Sequence, residues 1–155
     1  AGDLAALRVA VDDPGSVPNE LAHPAIGPCL EYAIYHSPPS FIRTLLEIGA
    51  EPNPEDHAGF PPLIAALTSG REEVLDILEL LLSFGADPNQ RGLNDYTPLH
   101  TAVSERNLPA LELLLAHGAD PLLRTRIDEY ETPRDMAELA GEREIAALLA
   151  GYEQR

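Results

Sequence analysis

Apolar residues recur along this chain at helical spacing, in short paired blocks. Leu99, Ala102 and Val103 fall at i, i+3 and i+4, on one face of a short helix starting near Pro98. Leu111, Leu114 and Leu115 form a second such stripe and predict a return helix. Thr97 is placed to cap the first helix through its hydroxyl, and Pro98 takes the first helical position, where no N–H is needed. Gly118 follows the second stripe and can adopt the left-handed conformation that ends a helix. Asp120-Pro121 then opens an extended turn.

The punctuation repeats. Gly49-Ala50-Glu51-Pro52-Asn53, Gly85-Ala86-Asp87-Pro88-Asn89 and Gly118-Ala119-Asp120-Pro121-Leu122 are copies of one phrase. A second phrase, Thr97-Pro98-Leu99-His100-Thr101-Ala102, recurs more weakly as Pro28-Cys29-Leu30-Glu31-Tyr32-Ala33, Pro61-Pro62-Leu63-Ile64-Ala65-Ala66 and Thr132-Pro133-Arg134-Asp135-Met136-Ala137. Its starts at 28, 61, 97 and 132 are separated by 33, 36 and 35 residues. The spacing and the Thr-Pro-Leu-His phrase resemble the ankyrin repeat over essentially the whole chain. The resemblance implies an all-α solenoid of helix-turn-helix units with projecting inter-repeat loops. It also implies that His100 is a structural residue linking turns.

The register predicts one domain over 1–155: a truncated N-terminal cap at 1–19, full repeats at 20–53, 54–89 and 90–122, and a C-terminal cap at 123–152. Residues 2–11 read as the second helix of the first cap, with Asp12-Asp13-Pro14-Gly15 as its turn. In the last repeat Arg134 stands where a core Leu is expected and Glu138 where Val103 is buried in the repeat before. Polar substitution of that kind suits a terminal cap.

Other departures are local. Ser37-Pro38-Pro39-Ser40 predicts a rigid linker and a well-capped helix after it. The stretch 71–82 carries about three extra residues and predicts a longer second helix, and the loop 124–131 is about two residues longer than its equivalents. Leu122 replaces the Asn of the turn phrase, so that turn is expected to differ.

Composition changes the picture in three places. Hydrophobic residues at 45% allow a buried core, and the 15 Pro and 11 Gly are absorbed by the repeat punctuation. The formal charge of −16 disfavours nucleic acid and anionic membranes and suits a basic or neutral protein partner, or simply keeps a repeat array soluble. All ten basic residues are Arg, which fits a GC-rich genome or selection against lysine modification. No run approaches the roughly 18 apolar residues of a membrane span, and Ala1-Gly2-Asp3 opens no signal peptide. With Cys29 alone, a cytoplasmic chain without intramolecular disulfides is expected, longer at its start than this sequence.

No catalytic, metal or cofactor site is expected. His23, His36, His57, His100 and His117 show no i, i+3 or i, i+4 pairing, and Cys29 has no CxxC partner. Among the candidate nucleophiles Cys29, Ser37, Ser40, Ser69 and Ser104, Cys29 begins a helix but lacks a neighbouring positive group and reads as an inert, buried thiol, and Glu72-Glu73 and Asp12-Asp13 read as solvated charge. Phe60 and Tyr96 precede their helices at equivalent positions and read as scaffold.

A partner is therefore expected, in a chain that is itself monomeric. By resemblance it is gripped by exposed first-helix positions and loop tips. On the helices these are Tyr32, Tyr35 and His36, then Ala65, Thr68 and Ser69, then Thr101, Ser104 and Glu105. The loop tips are Asp56 and His57, then Arg91, Asn94 and Asp95, then Arg126, Asp128 and Glu129. Tyr32 and Tyr35 are the strongest of these, because Tyr offers large contact area with few torsions; alternatively they cover the flank of the N-terminal cap. Other readings are a targeting segment of a larger enzyme, a bacterial effector acting in a host cell, and self-association through Leu80 or Leu81.

Overall fold

The computed structural model describes residues 19, 21–23, 27–54, 60–126 and 130–154, with backbone only at 21–23 and 27–28. The expected helix over 2–11 and the turn at 12–15 lie outside the described residues. The chain divides into two compact units, Ala1–Ala86 and Asp87–Arg155.

The first unit contains a short antiparallel ladder, β1 (Leu21–His23) on β2 (Gly27–Pro28), with Leu21 opposite Pro28. Four helices follow: α1 (Cys29–His36), α2 (Pro39–Glu47), α3 (Pro62–Thr68) and α4 (Val74–Ser83). Helix α1 packs on α2 and α3, and α4 packs on α2 and α3. The second unit holds a 3-10 turn (Leu93–Asp95), then α5 (Pro98–Ser104), α6 (Leu108–Ala116), α7 (Pro133–Ala140) and α8 (Arg143–Glu153). Here α5 packs on α6 and α7, and α7 on α8. The repeated helix pairs are those of an all-α ankyrin-type array, with the β1–β2 ladder as its one described addition.

Proline in the first turn starts α2, α3, α5, α6 and α7, where the missing N–H costs nothing. The second helices of the repeats end alike. Ala50, Ala86 and Ala119 donate their N–H to the carbonyls of Leu45, Leu81 and Leu114 at 2.9, 3.0 and 3.0 Å. The preceding Gly49, Gly85 and Gly118 sit at φ +99°, +87° and +89°. This left-handed ending closes the helix and turns the chain outward, which is why the Gly-Ala phrase recurs.

The core follows the register. Counting the residue before each first helix as position zero (Pro28, Pro61, Thr97, Thr132), position five is always alanine: Ala33, Ala66, Ala102 and Ala137. All four are buried, and their small size lets neighbouring helices approach closely. Ile34, Ile42, Leu45, Ile77 and Leu78 fill the first unit, and Leu99, Leu111, Leu114 and Leu149 the second.

Three expectations need correction, and a fourth is met in part. Helix α4 has 10 residues against 9 in α2 and α6, so the surplus residues lie mainly in the turn before it. Arg71 in that turn donates to the carbonyls of Ile34 and Ser37 at 2.8 and 2.6 Å, closing the end of α1. The N-cap of α2 is Pro38, which makes no side-chain bond; the extended backbone of Pro38 and the ring of Pro39 start the helix instead. Leu80 and Leu81 are buried, because α4 is apolar on the faces toward both α2 and α3. The turn at Leu122 differs only in part: it has no side-chain amide to bond the next repeat, but it keeps the backbone bond that shapes the turn. Its N–H donates to Asp120 at 2.9 Å, as Asn89 N–H does to Asp87 at 2.8 Å, and a backbone donor needs no particular side chain.

Candidate functional site

Position three of the first helix faces the turn of the following repeat, and polar residues there tie the two together. In the second unit this is His100, fully buried at 0% exposure. Thr97 N–H donates to its Nδ1 at 3.2 Å, and the Thr97 hydroxyl lies 2.8 Å from the same nitrogen. Nδ1 is therefore an acceptor, the proton is on Nε2, and Nε2 donates to the Glu131 carbonyl at 3.1 Å. The imidazole thus caps α5 and fastens the next loop. Burial lowers its pKa and the nearby Arg91 charge adds to that, while the Glu131 bond opposes both.

Glu31 holds the equivalent position in the first unit and works with reversed polarity. Its carboxylate accepts the Phe60 N–H at 3.1 Å. Burial raises its pKa and that bond opposes the rise. At the same position in α7, Asp135 accepts the Thr132 N–H at 2.9 Å while Thr132 Oγ accepts the Asp135 N–H at 3.1 Å, a complete capping box.

A second set of ties runs through asparagine. Asn53 donates to the Gly85 carbonyl at 2.8 Å within the first unit, and Asn89 to the Gly118 carbonyl at 3.2 Å within the second. Asn89 also accepts the Asp120 N–H at 2.7 Å. Asn19 repeats both bonds, with Gly49 at 2.9 Å and Glu51 at 2.7 Å. By role, then, Asn19 is another copy of the phrase asparagine. Sequence reasoning took these residues as turn formers and missed the ties, along with Glu31 and Arg71; the recurrence of Asn once per repeat, at 19, 53 and 89, was the available signal.

The expected partner-facing residues divide by burial. At position four Tyr32 is 43% exposed, but Ala65 at 0% and Thr101 at 6% are buried. The Thr101 hydroxyl turns back onto the Thr97 carbonyl at 3.3 Å, so neither of these two presents a side chain outward. Position seven carries Tyr35, Thr68 and Ser104, and position eight His36, Ser69 and Glu105. Thr68 donates to the Ile64 carbonyl at 3.0 Å, so the Tyr35 hydroxyl donates to Thr68 Oγ at 3.2 Å and ties α1 to α3. Ser69 likewise bonds its own helix, at Ala66. His36, Ser104 and Glu105 are exposed. The Tyr32 ring lies 4.6 Å from that of His36, and among the described residues its hydroxyl has no hydrogen-bond partner.

In the second unit the loop tips come together. Asp95 Oδ2 meets Arg126 Nε at 2.6 Å and Arg91 Nη1 at 3.8 Å. Arg91 donates to the Arg124 carbonyl at 2.9 Å, joining the 91–96 loop to the next. Asn94 and Asp95 sit at φ +59° and +61° at the tip. Asp56, His57, Asp128 and Glu129 lie outside the described residues. No group of three or more His, Cys, Asp or Glu among the described residues is placed to hold a metal, and no described helix is long and apolar enough to cross a membrane.

A family model of ankyrin repeats in three copies matches residues 30–125 and 75–154. The mouse 2-5A-dependent ribonuclease is 48% identical over 58 residues, covering 37% of this chain and 8% of that protein. The Drosophila melanogaster tyrosine-protein kinase Shark is 33% identical over 124 residues, 79% of this chain and 13% of the kinase. The mouse NF-kappa-B inhibitor delta is 40% identical over 75 residues, 46% of this chain and 23% of that protein. The chain thus matches less than a quarter of the length of each of these relatives. Matched from residue 30 to 154 and built of the same helix pairs, it belongs to the ankyrin-repeat family, a family of protein-interaction modules.

Proposed function

We propose that this chain binds a protein partner, basic or neutral at the contact, through the exposed positions of its first helices and the adjoining loop tips. It acts without catalysis, metal or cofactor, as a cytoplasmic monomer that engages neither nucleic acid nor membrane. The observation that carries this is Tyr32. A large amphipathic ring at 43% exposure, tilted against His36 with its hydroxyl unused among the described residues, is the kind of anchor that interfaces favour. The formal charge of −16 supports the choice of a basic or neutral partner. Tyr35, His36, Ser104 and Glu105 extend the surface, with Arg91, Asn94, Asp95 and Arg126 at the loop tips. Ala65 and Thr101 drop out of it.

The test is affinity capture followed by mass spectrometry, wild type against Tyr32→Ala. A partner held by the wild type is expected to be lost at least tenfold, at an unchanged Tm, since hot-spot truncations cost about 2 kcal/mol or more. Capture that survives Tyr32→Ala overturns the reading. Tyr35→Phe serves as a control that keeps the ring and removes only the bond to Thr68.

A second reading is that the segment targets a larger enzyme. It is favoured by the two enzyme-named relatives, of which this chain matches only 8% and 13%. The full reading frame decides it.

A further inference from the structure

Four large apolar side chains stand more than half exposed among the described residues, all of them in the second unit. They are Leu93, Leu122, Tyr130 and Leu139, at 73%, 58%, 60% and 72%. Three of the four sit on adjoining loops. Leu93 lies in the 3-10 turn of the 91–96 loop, and Leu122 and Tyr130 belong to the loop that leads into α7. Leu122, Leu123 and Tyr130 line a cleft of about 430 Å³ between these loops. A single exposed apolar residue needs no explanation, but three gathered at one place form a patch.

The fold itself has no use for two of these side chains. Tyr130 is held at φ +57°, a left-handed conformation that is costly for a bulky residue. Its ring is 60% exposed, so burial does not offset that cost, and its hydroxyl has no hydrogen-bond partner among the described residues. Its carbonyl accepts from Arg124 at 2.7 Å, a bond that any residue could make. Glycine would adopt the same backbone without strain. Leu122 stands where Asn53 and Asn89 tie one turn to the next; it keeps the backbone bond to Asp120 and leaves its side chain in solvent.

The charged neighbours, by contrast, are already engaged. Asp95 holds Arg126 at 2.6 Å and Arg91 at 3.8 Å, and Arg124 meets Asp135 at 3.3 Å. Arg91 also donates to the Arg124 carbonyl at 2.9 Å, which braces one loop against the other. The exposed apolar side chains therefore stand on a frame fixed before any partner arrives, which lowers the cost of binding one.

We propose that Leu93, Leu122 and Tyr130, and not the charged groups between them, grip the partner protein at these loops, and that they take an uncharged, apolar segment of it. The proposal rests on the protein-binding reading and narrows its partner, basic or neutral, to neutral at this contact. Three side chains cannot supply the roughly 800 Å² per partner that a stable complex buries. The patch is thus one anchor of a larger interface and does not by itself pair two copies of this chain.

The test pans the whole chain against a displayed library of random linear peptides and measures synthetic copies of those recovered. They are expected to be rich in apolar residues, with affinity changing less than about twofold between about 0.05 and 0.5 M salt, since screening weakens only charged contacts. Tyr130→Gly is expected to lower affinity at least tenfold, as a hot-spot truncation does, while Tm stays equal or rises. Leu122→Asn is expected to lose a similar factor at unchanged Tm. Asp128→Asn together with Glu129→Gln is expected to leave affinity within about twofold. Failure to recover peptides, binding that falls with salt or shifts further on loss of Asp128 and Glu129, retained affinity in either apolar variant, or a lowered Tm in Tyr130→Gly each overturns the proposal. Peptides indifferent to Tyr130→Gly but lost with Tyr32→Ala overturn this contact and leave the partner-binding reading standing.

Discussion

At the scale of the residue, one position shows how a fixed scaffold absorbs different chemistry. Position three holds Glu31, Ile64, His100 and Asp135 in successive repeats. His100 was legible because the Thr-Pro-Leu-His phrase surrounds it. Glu31 was not, since Pro28-Cys29-Leu30 hides the phrase and an acidic residue reads as surface by default. In the structure it is 8% exposed and accepts the Phe60 N–H. Its raised pKa means the folded state favours the protonated form. That contribution is fully present below the ordinary glutamate value and is lost as pH rises through the folded one. Glu31→Gln keeps an oxygen for the Phe60 N–H and removes the buried charge. It is expected to stabilise the chain at pH 7 by about 1 kcal/mol or less and to give no gain at pH 4, as measured by chemical denaturation. Equal gain at both pH values would show that charge is not the cause.

At the scale of the element, the sequence marks where helices stop more clearly than what holds one repeat to the next. Helix ends are written in local residues: Pro sets the start, and Gly supplies the positive φ that the turn requires. The ties are non-local, joining residues about thirty apart, such as Asn53 to Gly85 and Asn89 to Gly118. No periodicity of apolar residues reports them. Exposure on the first helix was misjudged for the same reason. A helical wheel puts Tyr32, Ala65 and Thr101 on one face, but whether that face is open depends on neighbouring turns, and only Tyr32 remains exposed. Asn89→Ala removes the bonds to Gly118 and Asp120, each worth roughly 0.5–1.5 kcal/mol net. A loss of about 2 kcal/mol is expected, with Asn89→Asp intermediate because it still accepts the Asp120 N–H. An unchanged denaturation midpoint for Asn89→Ala would show that the tie carries no stability.

For the whole molecule, two buried groups respond to acid in opposite directions, Glu31 in the first unit and His100 in the second. His100 is neutral when folded, with Nδ1 accepting from Thr97 and Nε2 donating to Glu131. Protonation would set an N–H against the Thr97 N–H and place a charge in a site at 0% exposure beside Arg91. With its folded pKa lowered, His100 contributes stability above its ordinary value of about 6.5, and that contribution is lost as pH falls below it. Glu31 in the first unit behaves the other way, gaining as pH falls through its raised folded value. Repulsion within a chain of formal charge −16 does not produce this contrast, since carboxylates remain mostly ionised down to about pH 5.5 and act in both units. Hydrogen exchange at pH 7.5 and 5.5, corrected for intrinsic rates, is therefore expected to show α5 and α6 losing protection relative to α3 and α4. In His100→Gln, which has no proton to gain, the relative loss is expected to vanish. If both units change alike, or if the contrast persists in the variant, the buried imidazole is not what makes the second unit sensitive to acid.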